Sequence, residues 1–482
     1  MPKWPGFING SNTTQSLIAS AEKTVNLYVE QIQSQAAENQ MALFPTPGFQ
    51  SWSSVSDVGT RALGMAGTRM FGVIGPRLYE FDSTGAATNR GTVALDGNPA
   101  QFAYNGVVGG QLGIVSGGSV YSFTLGTNTL SAALLTGGYT HLVFADGYGL
   151  AFNPTTGKVN LSNLNDLSTY NVGTFFQRSK FPDPWQAMFV DPNGLIWLIG
   201  LETFEVWYDT GVGTQPWAPL SGLFGRYGIA APFAYGVSGG GTQWLARSPE
   251  GGATVVATRG SSPRKVSTYS VDAAIAGYLL TSKISDAEMM IYQDRGHTFS
   301  NIAFPSAPAT WSFDMEGQNW AERGKWNAPM QKFDPWAPRV HVDAFGKHLV
   351  GDRSTGTIWS MDSTFTTDTD GNGIRRLRRA PAIIQEHARL PFDQLELLMD
   401  VGLGTATGQG SDPQAMLRVS QDGGTTFGNE RQASIGRIGE YRKRVYWTRL
   451  GANPDAVIEV TWSDPSPVRV IDAFVNNAER VA

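Results

Sequence analysis

Seven times between Met70 and Met361 the chain returns to one unit: an apolar strand, a Gly-containing turn, and a second strand ending in aromatics. The first copy reads Met70-Phe71-Gly72-Val73-Ile74-Gly75-Pro76-Arg77-Leu78-Tyr79-Glu80-Phe81-Asp82. Later copies span Leu112 to Phe123, His141 to Phe152, Leu195 to Tyr208, Gln243 to Ala257, Met289 to Phe313 and His348 to Met361. With second strands starting near Leu78, Val120, Leu150, Phe204, Val266, Trp311 and Ile358, the spacings are 42, 30, 54, 62, 45 and 47 residues. A period of roughly 40–50 residues is that of a propeller blade, a small sheet that buries its faces only against its neighbours. Radial packing also hides sheet edges without long strands. The scatter leaves a multi-sheet β-sandwich of generic hairpins open as the alternative. The expectation is an all-β fold with a β-propeller-like body of about seven blades.

Composition agrees. The chain has 57 Gly and 26 Pro in 482 residues, 41% hydrophobic residues and only 16% charged ones. That is a turn-rich β protein with enough apolar mass for a core. Absence of cysteine excludes disulfides, thiol catalysis and thiolate metal sites. The opening Met1-Pro2-Lys3-Trp4-Pro5-Gly6 lacks the apolar stretch of a signal peptide. The longest apolar run, Leu195 to Leu201, is far short of the roughly 20 residues a membrane helix needs. A net charge of −5 argues against gripping DNA through overall charge, though not against DNA sliding past.

Past residue 367 the pattern changes. Asp368-Thr369-Asp370-Gly371-Asn372-Gly373 is a turn cluster, and Arg375, Arg376, Arg378 and Arg379 follow as the densest charge run in the chain. Strands then reappear over Leu395–Met399, Ala415–Ser420, Tyr441–Leu450, Ala456–Trp462 and Val468–Phe474, which suggests a C-terminal β-sandwich. The expected organisation is therefore an N-terminal extended arm and closing segment (1–50), the propeller-like domain (51–367), an Arg-rich linker or interface segment (368–381), and the sandwich-like domain (382–482). One helical piece is expected, from Glu30 to Asn39.

No string carries catalysis. Gly236-Val237-Ser238-Gly239-Gly240 fits a nucleophile-elbow pattern but lacks the strand-to-helix turn that strains such a serine. Ser420-Gln421-Asp422-Gly423-Gly424-Thr425-Thr426-Phe427 matches the Asp-box of sialidases, a structural turn built on Ser420, Asp422, Gly424, Thr426 and Phe427. It occurs once, and no carboxylate pair for glycoside chemistry accompanies it. Asp368, Asp370 and Asn372 match the start of a calcium loop, but the twelfth position is Arg379 where a bidentate Glu is needed. The five histidines, His141, His297, His341, His348 and His387, show no metal-like spacing beyond a loose His341/His348 pair. No catalytic residue, metal or cofactor is expected. In strand geometry Arg376 and Arg378 share one face, and Arg375 and Arg379 share the other with Leu377. Such a run serves as a solvated linker strand, a phosphate contact, or an interface clamp on acidic groups.

Several strings resemble the packaged-DNA stabilisation proteins, or tail hub (nozzle) proteins, of short-tailed bacteriophages. They are Phe7-Ile8-Asn9-Gly10, Thr24-Val25-Asn26-Leu27-Tyr28-Val29-Glu30, and Leu43-Phe44-Pro45-Thr46-Pro47-Gly48-Phe49 near the start. Mid-chain come Arg226-Tyr227-Gly228-Ile229-Ala230-Ala231-Pro232, Ala253-Thr254-Val255-Val256 and Ser267-Thr268. Ile374-Arg375-Arg376, Ala380-Pro381, Ser420 to Gly424, Gly439-Glu440-Tyr441, Arg444 to Gly451 and Ser463-Asp464-Pro465 complete the likeness. The resemblance implies a non-enzymatic virion protein, made in the host cytoplasm and placed in the tail. It implies a homo-hexameric ring below the portal and its adaptor ring, which closes the channel for genomic double-stranded DNA. It further implies attachment of a tail needle or tip and of tailspikes or fibres, with no membrane insertion. Asn26, Leu27 and Tyr28 are expected to anchor the N-terminal arm, and Arg375, Arg376, Arg378 and Arg379 to lie at a subunit or domain interface. The alternative function is a carbohydrate-binding or glycosidase-type propeller, suggested by the single Asp-box and 14 Trp.

Overall fold

The computed structural model describes residues 1–33, 40–177, 180–212, 216–247, 251–259, 262–384 and 389–477. Antiparallel sheets of four strands follow one another along the chain, as the alternation of apolar runs and Gly turns dictates. They occupy residues 60–92, 101–139, 141–177, 185–225, 228–265 and 288–322, the second and fifth carrying an additional short strand. The seventh takes three strands from residues 338–362 and its outermost strand from Gly48–Ser54. These are seven blades. Their innermost strands lie side by side in a closed circle, the last, Pro338–Ala344, against the first, Thr60–Ala66. Met70, Ile74 and Phe81 of blade 1 pack on Val342, Leu349 and Ile358 of blade 7, so the ring is sealed by a core of its own. The propeller expectation holds.

Each of the seven expected strand starts falls on or directly beside a different blade, but not always on the same strand of it. Leu78, Val120, Phe204, Trp311 and Ile358 lie on third strands, Leu150 lies on a second strand, and Val266 directly follows a fourth. Third strands begin at Arg77, Gly118, Lys158, Phe204, Ala253, Ala309 and Thr357, giving a tighter 41, 40, 46, 49, 56 and 48. The longest interval contains the helix Tyr269–Thr281, between blades 5 and 6. Thr268 caps it, accepting the Val271 N–H on its hydroxyl.

The C-terminal strands form the expected sandwich, with help from the N-terminus. One sheet orders Leu27–Gln31, Met41–Pro45, Val470–Asn477, Leu390–Met399 and Val445–Asn453. The other orders Ala21–Val25, Arg376–Arg379, Val457–Trp462, Gln414–Ser420 and Arg431–Ser434. Val25 also pairs in parallel with Glu322, so this second sheet runs on into blade 6. The N-terminal 50 residues therefore divide between two tasks. Trp4, Phe7, Leu27, Val29 and Leu43 enter the sandwich core, and Gly48 onward closes the propeller. The helix expected from Glu30 does not start there: Glu30 and Gln31 pair with Ala42 and Met41 in a strand, because cross-strand pairing overrides local helix preference. Residues 34–39 of that expectation lie outside the described residues.

Candidate functional site

The residues singled out in the sequence converge on the junction between sandwich and propeller. Asn26 stands where the chain leaves one sandwich sheet for the other, in the left-handed region at φ 57°. Asparagine tolerates that conformation better than most residues. Its side chain accepts the Gly324 N–H (3.0 Å) and donates to the carbonyls of Gly324 (2.8 Å) and Arg375 (2.9 Å). Leu27 then turns into the sandwich core. Tyr28 points the other way, edge-on to His297 and Phe299 of blade 6. Alternation along a strand thus gives one residue to each domain.

Arg376 and Arg378 come off one face of their strand and are fully buried, while Arg375 and Arg379 lie half-buried on the other. Arg378 donates to the carbonyls of Gly6, Phe7 and Gly10, to the Thr24 hydroxyl (2.9 Å) and to Glu22 Oε1 (2.9 Å). That uses all five guanidinium N–H groups. Arg376 has one long bond, to the Ile374 carbonyl at 3.4 Å, and burial pulls its pKa down to about 10. Arg375 pairs with Glu430 (2.7 Å) and lies 4.4 Å over the Trp326 ring. Arg379 grips Glu459 (2.7 Å). The Arg run is therefore a buried strand of this chain, holding N-terminal segment, sandwich and blade 6 together.

The Asp-box joins the same cluster. Asp422 accepts the N–H groups of Thr425 (3.0 Å) and Thr426 (2.8 Å) and the hydroxyls of Ser420 and Thr426, which hold its pKa down at about 2. Gly423 and Gly424 supply the positive φ of the turn. Phe427 is packed by the guanidinium groups of Arg379 (4.5 Å) and Arg418 (5.3 Å), both bound to Glu459. Both carboxylate oxygens of Asp422 thus accept within its own turn, which gives the residue a structural task there.

The remaining sequence motifs stay apart from this junction's clamp or apart from one another. At 368–373 the chain makes a tight turn closed by Asp368 N–H to the Asn372 carbonyl (2.7 Å). The Lys325 ammonium lies 3.7 Å from Asp370 Oδ2, so a fixed cation already faces the acidic turn. Burial raises Asp368 to about 6. Ser238 ends an antiparallel strand and donates to the Gly241 carbonyl; no helix follows it. His141 is buried against the Pro232 carbonyl and held at about 4 by desolvation. His341 and His348 face each other at 3.1 Å. His387 lies outside the described residues.

A cavity of about 680 Å³ runs where the seven inner strands meet. Leu63, Phe102, Phe144, Val190, Val237, Ile291 and His341, one from each blade, line it. Among the described residues its wall holds no nucleophile–base pair and no facing carboxylates. The sequence reading named His297 but missed its cluster: His297, Asp314 and Glu316 meet at the edge of blade 6 beside Glu30, which is 267 positions away from His297. No spacing rule could have joined them.

Two family models match the sequence in the order the fold displays. The model described as bacteriophage P22 Gp10, β-propeller, matches residues 7–366, and that described as bacteriophage P22 Gp10, β-sandwich, matches residues 375–477. The chain belongs to the P22 Gp10 family. This is a family of structural phage tail proteins, the tail hub and DNA-stabilisation proteins that the sequence resemblance pointed to. The Gp10 propeller model ends at residue 366, just before the 368–373 turn, and the sandwich model begins at Arg375, just after it. Comparison with curated proteins gives no match. Among solved structures the chain aligns with YCF48 from Cyanidioschyzon merolae, at 11% identity over 65% of this chain and 98% of that one, with a TM-score of 0.38. It also aligns with the extracellular domain of BT4673 from B. thetaiotaomicron, at 6% identity over 83% and 47%, with a TM-score of 0.43. No helix among the described residues is long and apolar enough to cross a membrane.

Proposed function

We propose that this chain is the tail hub, or nozzle, of a short-tailed phage. Six copies form a ring that extends the portal and its adaptor ring, closes the channel on packaged DNA, and carries the distal needle or tip and the tailspikes or fibres. The observation that supports this most is the match of both halves, in order, to the two Gp10 models. The chain's own physics fits a passive conduit. A net charge of −5 on each copy gives a weakly acidic ring that lets a polyanion pass without sticking. DNA travels between copies, because the cavity of about 680 Å³ within each propeller is far too small to pass a duplex. The work is mechanical: a rigid body that presents surfaces, with no chemistry in the steps.

Native mass spectrometry of the purified chain, alone and with its portal and adaptor rings, tests this. A chain that joins those rings six at a time, and only in their presence, is the expected result. A chain that ignores the rings and binds glycans instead would overturn it in favour of the carbohydrate-binding propeller.

A further inference from the structure

At the edge of blade 6 the imidazole of His297 is caught between two carboxylates. Nδ1 lies 2.8 Å from Asp314 Oδ2 and Nε2 lies 3.1 Å from Glu30 Oε2. Ionised carboxylates only accept hydrogen bonds, and a neutral imidazole has one N–H to give. The position therefore calls for a second positive centre, either another proton or a cation.

Three features favour a cation. First, a third carboxylate, Glu316, joins the group, and the His297, Asp314 and Glu316 ligand atoms all lie within 4.8 Å of one another. Second, no Lys or Arg among the described residues forms an ion pair with Glu30, Asp314 or Glu316; His297 is the ion partner of the first two. Three negative groups thus face one ring. Third, Glu30 stands where metal-bound imidazoles usually have an outer carboxylate, taking the distal N–H and fixing the tautomer that bares the other nitrogen. The ring is also held in plane, stacked on Phe299 at 5.7 Å and met edge-on by Tyr28 at 5.2 Å.

We propose that His297, Asp314 and Glu316 form a divalent transition-metal site of the zinc type, with Glu30 orienting the histidine from the neighbouring domain. One nitrogen and two carboxylate ligands suit zinc, with water completing the shell. Asp314 is buried and set by the Glu316 N–H, whereas the exposed Glu316 carboxylate is held beside it by the Thr298 N–H and hydroxyl, each of its oxygens keeping a lone pair for an ion. Because Glu30 belongs to the sandwich strand Leu27–Gln31, the ion would brace sandwich against propeller.

Calorimetric titration of the full chain with zinc chloride, free of chelators and near neutral pH, is the test. One ion per chain is expected, with magnesium giving no saturation. Glu316→Gln keeps an acceptor for the Thr298 N–H, and its amide N–H can donate to the Thr298 hydroxyl, so the fold is kept, yet zinc should weaken at least tenfold. Glu30→Gln leaves the ligands in place and should still weaken zinc by about ten- to a hundredfold. The thermal midpoint of the wild-type chain should rise with zinc and that of Glu316→Gln should not. Absence of saturable zinc binding by the wild type would overturn the proposal in favour of a purely protonated His297. Undiminished binding by Glu316→Gln would overturn it too, placing the ion elsewhere, such as at His341 and His348.

Discussion

Arg376 and Arg378 project from the same face of one four-residue strand, each no more than 1% exposed, yet only Arg378 has its donors matched. Arg378 meets five acceptors including the Glu22 carboxylate, and Arg376 meets one carbonyl at 3.4 Å. Its Nε has no partner. Burying a charge costs several kcal/mol unless pairing offsets it, so the two arginines should respond oppositely to removal of charge.

Arg378→Met strands Glu22 and the Gly6, Phe7 and Gly10 carbonyls in the interior, and the expected loss is about 3–5 kcal/mol. Arg376→Met keeps the apolar stem and removes an unpaired charge, so stability should stay level or rise by about 1 kcal/mol. Urea midpoints of the two variants measured side by side give the answer. Equal losses for both would mean that Arg376 has a partner as strong as Glu22.

Asn26 separates side-chain bonding from backbone conformation. Asn26→Gly keeps the φ of 57° and loses three hydrogen bonds, an expected cost of about 2–3 kcal/mol. Asn26→Ala loses the same bonds and adds left-handed strain of about 1 kcal/mol. Thermal midpoints should therefore fall in the order wild type, Gly, Ala.

The seven blades were legible in the sequence because each needs Gly turns between aromatic strands, a signal that is local. The position within a blade was not, since second, third and fourth strands look alike; Leu150 and Val266 sit elsewhere in their blades than Leu78 does. The N-terminal strands were illegible for a different reason. Val25 pairs with Glu322 and Leu377, and nothing within a window around Val25 encodes partners so distant. The helix Tyr269–Thr281 has apolar residues all round, so it lacks the period of 3.6 that would reveal it. The Arg run showed its alternation correctly, but burial depends on which strands flank it, and those come from both ends of the chain.

Asp368 gives the chain a defined acid response. Burial raises its folded pKa from 3.8 to about 6, so the folded state holds this proton more tightly than the unfolded chain. Stability contributed here is full below about pH 4 and declines as pH rises toward and through about 6, by about 3 kcal/mol in all. Asp368→Asn keeps an acceptor for the Thr369 N–H and removes the titration. The variant should be more stable than wild type at pH 8 and no different at pH 4. A pH series of urea midpoints, with equal slopes for the two chains, would refute the assignment.

Closure of the propeller rests on a strand donated from the far end of the chain, and Gly48 is where that strand begins. A Cβ on Gly48 would stand 2.5 Å from the Phe365 carbonyl oxygen and 2.6 Å from its carbon. Both are backbone atoms that cannot rotate away, and Gly48 is paired in register with Asp362. Gly48→Ala should push the strand Gly48–Ser54 off blade 7 and lower stability by about 1–3 kcal/mol. The loss should be local at first, because the fully buried members of the core between blades 7 and 1, Met70 and Leu349 among them, come from those blades, and the strand adds only the partly buried Trp52. Amide exchange reads this directly: Thr357 to Asp362 should lose protection while blades 2 to 5 keep theirs. Freed edges also pair with other chains, so the variant should aggregate on warming at a temperature where wild type does not. Unchanged protection across Thr357 to Asp362 would mean that the backbone at Phe365 yields, and that closure does not depend on a glycine at this turn.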